Sequence, residues 1–285
     1  MPKNFPIAVT ATPAVVPAAP ILLRGDLAGA FRQAAELGCQ GVEIHLRRAE
    51  DVRAPELKRL MAEYGLKVPT LGTGMAATLD GLTLAHVDAS VRRQALVRLR
   101  AQVDLAAELA SAVTIGSVSG RLATAEQAER AARRQAALDA LAELCRYAEG
   151  RGVTVLLEPL NRYECDYLNT LNEACRAIAE IGAANLKLLA DTFHMNIEET
   201  DLAESLRAAA PWLAHLHLAD SNRQAPGRGH LDVTGVLAAL SEIGYEGFLA
   251  FEVLPAPEPV TAIRQGMETV RAALSKLQGE RTHHA

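Results

Sequence analysis

The sequence predicts an α/β fold, a single (β/α)8 TIM barrel built on a closed, parallel, eight-stranded sheet. Three observations carry this. Short apolar runs that read as buried strands occur eight times along 285 residues, each followed by a helical segment or a helix-bearing loop, the rhythm and length of a barrel. The last four of these strands each carry a charged or imidazole side chain at or near the end. A doubly wound sheet, the main competitor, would normally place a dinucleotide or phosphate loop after the first strand, and none is there.

Taken in order, Phe5 to Val9 is the first strand, followed by a Pro- and Ala-rich loop to about Pro20. Asp26 caps a helix with apolar residues at Leu27, Phe31, Ala34 and Leu37, and Gly38 stops it. Gly41 to Leu46 is strand two, Pro55 to Tyr64 a helix closed by Gly65, and Val68 to Leu71 strand three, before a long loop from Gly72 to His86. Val91 to Ala110 has helical periodicity with Arg and Gln on its outer face. Ala112 to Gly116 is strand four. Thr124 and Gln127 form a capping-box pattern opening a helix that ends near Gly150. Strand five, Val153 to Glu158, precedes a second capping box, Thr170 with Glu173, on a helix to Gly182. Leu186 to Asp191 is strand six. A helix from about Leu202 leads to strand seven, Leu213 to Leu218; a helix from about Gly235 to Ile243 has Asp232 as its cap. Phe248 to Val253 is strand eight, and the last helix runs from about Val260 to Leu277. Residues 1–278 make one catalytic domain, and 279–285, with His283 and His284, read as a disordered polar tail.

Composition narrows the function. A hydrophobic content of 49% with 4% aromatics suits a helix-rich enzyme, and a net charge of −5 supplies no basic stripe for nucleic acid. Cys39, Cys145, Cys165 and Cys175 have no CxxC spacing and read as reduced, structural thiols. Met1 to Asn4 does not read as a signal sequence, and no apolar stretch approaches the roughly 20 residues of a membrane span. A cytoplasmic enzyme with no membrane partner is the expectation.

The charged strand ends are Glu158, Asp191, His217 and Glu252, spaced 33, 26 and 35 residues apart, each about one βα unit. On adjacent parallel strands such positions converge at the C-terminal mouth, where barrels keep their chemistry. A charged group at the end of a buried strand must be paired, bound to metal or open to a cavity. Asp191 is therefore read as a metal ligand and His194 as a substrate-binding residue. Three carboxylates and one imidazole suit Mn²⁺ first, with Mg²⁺ or Co²⁺ as alternatives. Each residue alone has a bland reading, a strand ending in solvent; four in successive units argue against it. Gly72-Thr73-Gly74 reads as a loop that lets backbone approach a ligand, His215 as a hydrogen-bonded core histidine, and Glu198 and Glu199 as solvated. Glu43 and His45 share a strand face as a buried pair or as part of the mouth, with their role open.

At these residues the chain resembles a known family. Glu158-Pro-Leu-Asn-Arg-Tyr-Glu164, Ala190-Asp-Thr-Phe-His-Met-Asn-Ile-Glu-Glu199 and His215-Leu-His-Leu-Ala-Asp-Ser-Asn-Arg223 resemble the xylose isomerase-like barrel superfamily. Within it they are similar to the D-tagatose and D-psicose 3-epimerases. Leu71-Gly-Thr-Gly74, Asp80-Gly-Leu-Thr-Leu84 and Ala225-Pro-Gly-Arg-Gly-His230 bring the likeness closer to 5-keto-L-gluconate epimerase. The resemblance implies that Glu158, Asp191, His217 and Glu252 bind the divalent metal, that Glu158 and Glu252 are also the acid/base pair, and that Glu164, His194 and Arg223 hold substrate oxygens. It also implies a homo-oligomer, a dimer or tetramer. Two positions depart from the family: Met75 after the glycine loop, where the nearest members carry a polar residue, and Ser119, where a basic residue is expected, with Arg121 nearby. Both bear on the distal end of the substrate.

The chemistry so implied is proton abstraction and return α to a ketone, through an enediolate, on a free ketose or keto-sugar acid. Aldose–ketose isomerisation of the hydroxypyruvate isomerase type is the nearest alternative. Endonuclease IV-type DNA repair, which needs several zinc ions and more histidines, and a non-catalytic sugar-binding barrel are remoter ones.

Overall fold

The eight expected strands are present, all parallel. A computed structural model of the chain describes residues 5–16, 19–124 and 126–283. Met1 to Asn4, part of the Pro- and Ala-rich loop (Pro17 and Ala18), Ala125, His284 and Ala285 lie outside the described residues. The strands are β1 (Ile7–Thr12), β2 (Gly41–His45), β3 (Thr70–Gly72), β4 (Ala112–Ile115), β5 (Val155–Leu157), β6 (Leu186–Asp191), β7 (Leu213–His217) and β8 (Leu249–Phe251). Each pairs with the next, and β8 returns to β1 with Ile7 opposite Leu249, which closes the (β/α)8 barrel. A two-residue strand, Leu23–Arg24, pairs with the end of β1. Strands β1, β2 and β3 are buried along their whole length, as strands covered by helices outside and side chains inside must be.

The helices are α1 (Leu27–Glu36), α2 (Ala54–Tyr64), α3 (Met75–Asp80), α4 (Ala89–Leu109), α5 (Gln127–Glu149), α6 (Leu171–Ile181), α7 (Thr192–Glu198), α8 (Leu202–Ala209), α9 (Val233–Glu242) and α10 (Pro259–His283). Local chemistry sets their ends. Thr170 Oγ1 accepts from the Glu173 N–H at 3.2 Å and Glu173 returns the bond to the Thr170 N–H at 3.0 Å, the reciprocal cap read from the sequence. Asp232 caps α9 through the Gly235 N–H at 3.0 Å. The Thr124/Gln127 box does not form: α5 opens at Gln127, so Glu126 is the cap, accepting from the N–H groups of Ala128 and Glu129. Thr124 instead donates its hydroxyl to Glu129 at 2.7 Å.

Three further differences concern helices. The long loop after β3 contains α3. His194 lies on α7, which starts directly at the end of β6 with no intervening loop. The last helix continues to His283, through residues read from the sequence as a polar tail. Apart from Gly279, residues 278–283 include no strong helix breaker, so polarity alone did not mark a stop.

Candidate metal centre and its cavity

Strand register brings the charged ends together. Asp191 is opposite His217 in the β6–β7 pair, and His217 is opposite Ala250, two residues before Glu252, in the β7–β8 pair. Glu158 follows β5 directly, and a Cβ on Gly116, its neighbour across the sheet edge, would meet Glu158 Oε2. One ligand atom from each of Glu158, Asp191, His217 and Glu252 fits within 4.8 Å of all the others. His217 Nδ1 stands 3.4 Å from Glu158 Oε1, 3.6 Å from Asp191 Oδ2 and 3.4 Å from Glu252 Oε2.

The hydrogen bonding at this cluster is incomplete. Glu158 Oε1, Asp191 Oδ2 and His217 Nδ1 are buried with no hydrogen-bond partner, an arrangement that costs about 1–3 kcal/mol per atom or more for charged groups. Arg223 Nη1 lies 3.1 Å from Asp191 Oδ2, off the direction a hydrogen bond needs, and Nη2 pairs with Glu252. Among the four residues and Arg223, three carboxylates against one guanidinium leave two negative charges, with the Glu43 carboxylate beneath them, so a divalent ion offsets the excess. The residues fit such an ion in donor chemistry, spacing and charge.

The electrostatics reflect this crowding. Burial, aided by Glu252, raises the Glu158 carboxyl above its usual range. Burial pushes Asp191 the same way, but Arg223, His194 and His217 outweigh it and hold that carboxyl well below the carboxylate range. Glu252 is also lowered, since Arg223 and His217 overcome its burial. Burial disfavours the His217 imidazolium, yet the surrounding carboxylates, Glu43 and Glu252 first, raise its pKa well above the ordinary value.

Above the cluster a cavity of about 340 Å³ is lined by Glu158, Glu164, His194, Arg223, Glu252 and His45, by the aliphatic Val16, Ile21, Met75, Leu79 and Leu160, and by Thr78 and Ser117. The backbone N–H and the side-chain amide of Asn161 both reach His194 Nδ1, at 3.2 and 2.8 Å, and Arg223 Nη1 lies 3.2 Å from Nε2. Asn161 also donates to Glu164 Oε1 at 3.0 Å. Arg223 has a φ of 62°, in the left-handed region that side chains seldom adopt. It is held there by a bond from the Leu254 N–H to its carbonyl at 2.8 Å. Beneath that turn, fully buried Asp220 gathers the N–H groups of Ser221, Gly227 and Leu231 at 2.7, 2.7 and 3.1 Å. A larger cavity of about 650 Å³ opens at the other end of the barrel, between Lys67, Thr154, Ala214 and Phe248, and is lined by none of Glu158, Asp191, His217 and Glu252.

All seven residues singled out from the sequence therefore lie at this mouth. Met75 is on the cavity wall, whereas Ser119 is not: Ser117 takes that place, and the Ser119 carbonyl accepts from Tyr167. Arg121 reaches out to the carbonyl of Tyr163. Glu198, expected to be solvated, accepts from the Arg162 side chain and has a largely buried side chain. Of the strand-two pair whose role is open in the sequence, His45 lines the cavity and Glu43 lies beneath the centre.

The fold and site together define a xylose isomerase-like barrel: that family's signature matches residues 31–273, and the chain belongs to it. The curated relatives that the chain matches include sugar epimerases. A D-psicose 3-epimerase from Enterocloster bolteae is 46% identical over 112 residues, which is 39% of this chain and 37% of that protein. An L-ribulose 3-epimerase from Methylomonas sp. (strain DH-1) is 31% identical over 226 residues, 78% of this chain and 77% of the relative. Among solved structures, 3-keto-D-glucoside 4-epimerase from E. coli matches with a TM-score of 0.80 at 26% identity, covering 94% of this chain and 100% of that one.

Proposed function

We propose that this chain is a divalent-metal-dependent epimerase of free ketoses or keto-sugars, with Glu158, Asp191, His217 and Glu252 as the ligands. The observation that carries this reading is the pairing of an incompletely bonded carboxylate–imidazole cluster with a cavity that Glu158 and Glu252 both face. A bound divalent ion supplies Lewis-acid polarisation of a substrate carbonyl. The remaining work falls to the side chains. Inversion of a carbon requires proton removal on one face and return on the other, and Glu158 and Glu252, from the ends of β5 and β8, supply the two carboxylates. The reverse reaction exchanges their roles. His194 Nε2 and the Arg223 guanidinium face the oxygens of the enediolate, and Glu164 accepts from a sugar hydroxyl.

The distal wall bears on the substrate. Val16, Ile21, Met75, Leu79 and Leu160 are aliphatic, Thr78 and Ser117 add only hydroxyls, and the single arginine of the lining, Arg223, is already paired with Asp191 and Glu252. A carboxylate placed against that wall would lose hydration without a counter-charge, which favours an uncharged sugar over a keto-sugar acid. In this reading the ion is Mn²⁺. The protein is a cytoplasmic homo-oligomer, and four buried free cysteines agree with a reducing compartment. Among the described residues no helix is long and apolar enough to cross a membrane.

The test is a panel of ketoses and keto-sugar acids with Mn²⁺ in D₂O, read by NMR. Epimer formation with deuterium at the inverted carbon is the expected result. Interconversion of aldose and ketose, or no turnover of any sugar, would refute the epimerase reading.

A further inference from the structure

Glu43 stands outside the proposed ligand set, yet three imidazoles converge on it. Its carboxylate is fully buried on β2. His45 Nε2 lies 3.0 Å from Oε1, His215 Nε2 2.9 Å from Oε2, and His217 Nε2 3.1 and 3.2 Å from the two oxygens. An ionised carboxylate only accepts hydrogen bonds, so each of the three Nε2 atoms must carry a proton. For His217 the consequence is directional. With its proton on Nε2, the neutral ring presents the Nδ1 lone pair, and Nδ1 is the atom facing Glu158, Asp191 and Glu252. The other tautomer would surrender the bond to Glu43 and leave a lone pair against a buried carboxylate.

The surroundings keep Glu43 in that position. His215 and His217 stand two residues apart on β7, their rings edge to face with centroids 5.4 Å apart. His45 comes from β2 itself and is paired in register with Gly72 of β3. A Cβ on Gly72 would fall 2.5 Å from His45 Nδ1. The glycine thus makes room for the ring that supplies the third hydrogen bond.

We infer that Glu43 is a positioning residue of the metal centre: its carboxylate fixes the tautomer and orientation of His217, while His45 and His215 hold the carboxylate in place. The inference rests on the metal-centre reading above. Partners of this kind typically change metal affinity 10–100-fold when removed. The same atoms have one competing use, since Glu43, His215 and His217 are spaced closely enough to hold an ion of their own.

Chelator-competition titration of Mn²⁺ into wild type and Glu43→Gln, with ions counted per chain and the metal-free melting point of each recorded, separates these. The expected result is one ion per wild-type chain and about 10–100-fold weaker binding in the variant, because the amide's NH₂ would meet an Nε2–H and a ring must turn. Equal affinity overturns the inference even where the melting point falls, since that describes a structural role only. Two ions per wild-type chain, one of them lost in Glu43→Gln, overturns it in favour of ligation. A wild-type chain that binds no divalent ion removes the metal centre itself, an outcome distinct from equal affinity. Should Glu43→Gln fail to fold, ¹⁵N-histidine NMR of the Mg²⁺-loaded wild type decides: a proton on His217 Nε2 is expected, and one on Nδ1 overturns the proposal.

Discussion

Removing the divalent ion with a chelator should destabilise the protein by an amount that grows with pH. With an ion present, Glu158, Asp191 and Glu252 are balanced by Arg223 and the ion's two charges; without it, carboxylates within 4.8 Å of one another are left in excess. Two like charges about 4 Å apart repel by roughly 4 kcal/mol at an effective dielectric of about 20. Proton uptake relieves this, as the raised Glu158 and His217 show. Both are groups whose folded pKa lies above the unfolded one. Their contribution to metal-free stability is complete below the unfolded values, roughly 4.3 for Glu and 6.5 for His, and is lost as pH rises through the folded values. Asp191 and Glu252 are lowered, so their contribution is present above about 4 and lost only in acid, outside the assay range. Metal binding displaces the held protons, hence affinity rises with pH. At an ion concentration of about 100 times Kd the gain is about 2.7 kcal/mol. At roughly 2–4 °C per kcal/mol, calorimetry with Mn²⁺ against EDTA should show a rise in Tm of roughly 5–10 °C at pH 7, larger at pH 8 than at pH 6. Superimposable curves with and without the ion, or a larger shift at pH 6, would refute the reasoning.

Three other expectations follow from the same geometry. Glu158→Gln and Glu252→Gln should each slow epimer interconversion by roughly a hundred- to ten-thousand-fold; retained turnover with solvent deuterium uptake in both would sink the two-carboxylate scheme. Gly72→Ala should cost about 1–3 kcal/mol in urea denaturation, because its Cβ meets the His45 ring at 2.5 Å; an unchanged midpoint contradicts the packing argument. Met75→Lys should lower kcat/KM for a neutral ketose and raise it for a keto-sugar acid, as the charge enters an aliphatic wall; an unaltered ratio between the two substrates speaks against that wall contacting the distal end.

The parts of this molecule that were legible beforehand are those governed by local period and position. Apolar runs of strand length alternating with helical stretches led to the barrel, and the strand-end positions of Glu158, Asp191, His217 and Glu252 led to the mouth. Relations across the barrel were not legible. Glu43 and His215 are 172 residues apart, and no alternation rule on β2 or β7 says that their side chains meet. Ser119 failed for a different reason. It ends a 3₁₀ turn, Ser117–Ser119, with about three residues per turn, so adjacent residues point to different sides and a one-dimensional reading cannot choose between them. The Thr124 cap was misplaced because helix start signals are degenerate: Thr124, Glu126 and Glu129 all offer oxygens, and the observed start at Gln127 decides which one caps.

Asp191 shows why a strand-end carboxylate was readable as a ligand while its second role was not. Its two oxygens have separate functions. Oδ2 faces His217 Nδ1 and Arg223, whereas Oδ1 accepts the Phe193 N–H at 2.8 Å and so caps α7. The sequence Leu-Ala-Asp-Thr-Phe-His carries an N-cap signal, but capping is expected after a loop, and here β6 passes into α7 without one. The consequence is mechanical. His194 is the third residue of α7, so the side chain that orients toward the metal set also fixes the start of the helix from which His194 reaches the cavity. Thr192 adds a second tie, donating from its hydroxyl to the Ala219 carbonyl at 2.7 Å and accepting from the Ala219 N–H at 2.9 Å, just beyond His217. Asp191 thus contacts both the start of the helix that carries His194 and, through Oδ2, His217 at the end of β7. In this barrel one carboxylate therefore serves the proposed metal set with one oxygen and the backbone of the substrate-binding helix with the other.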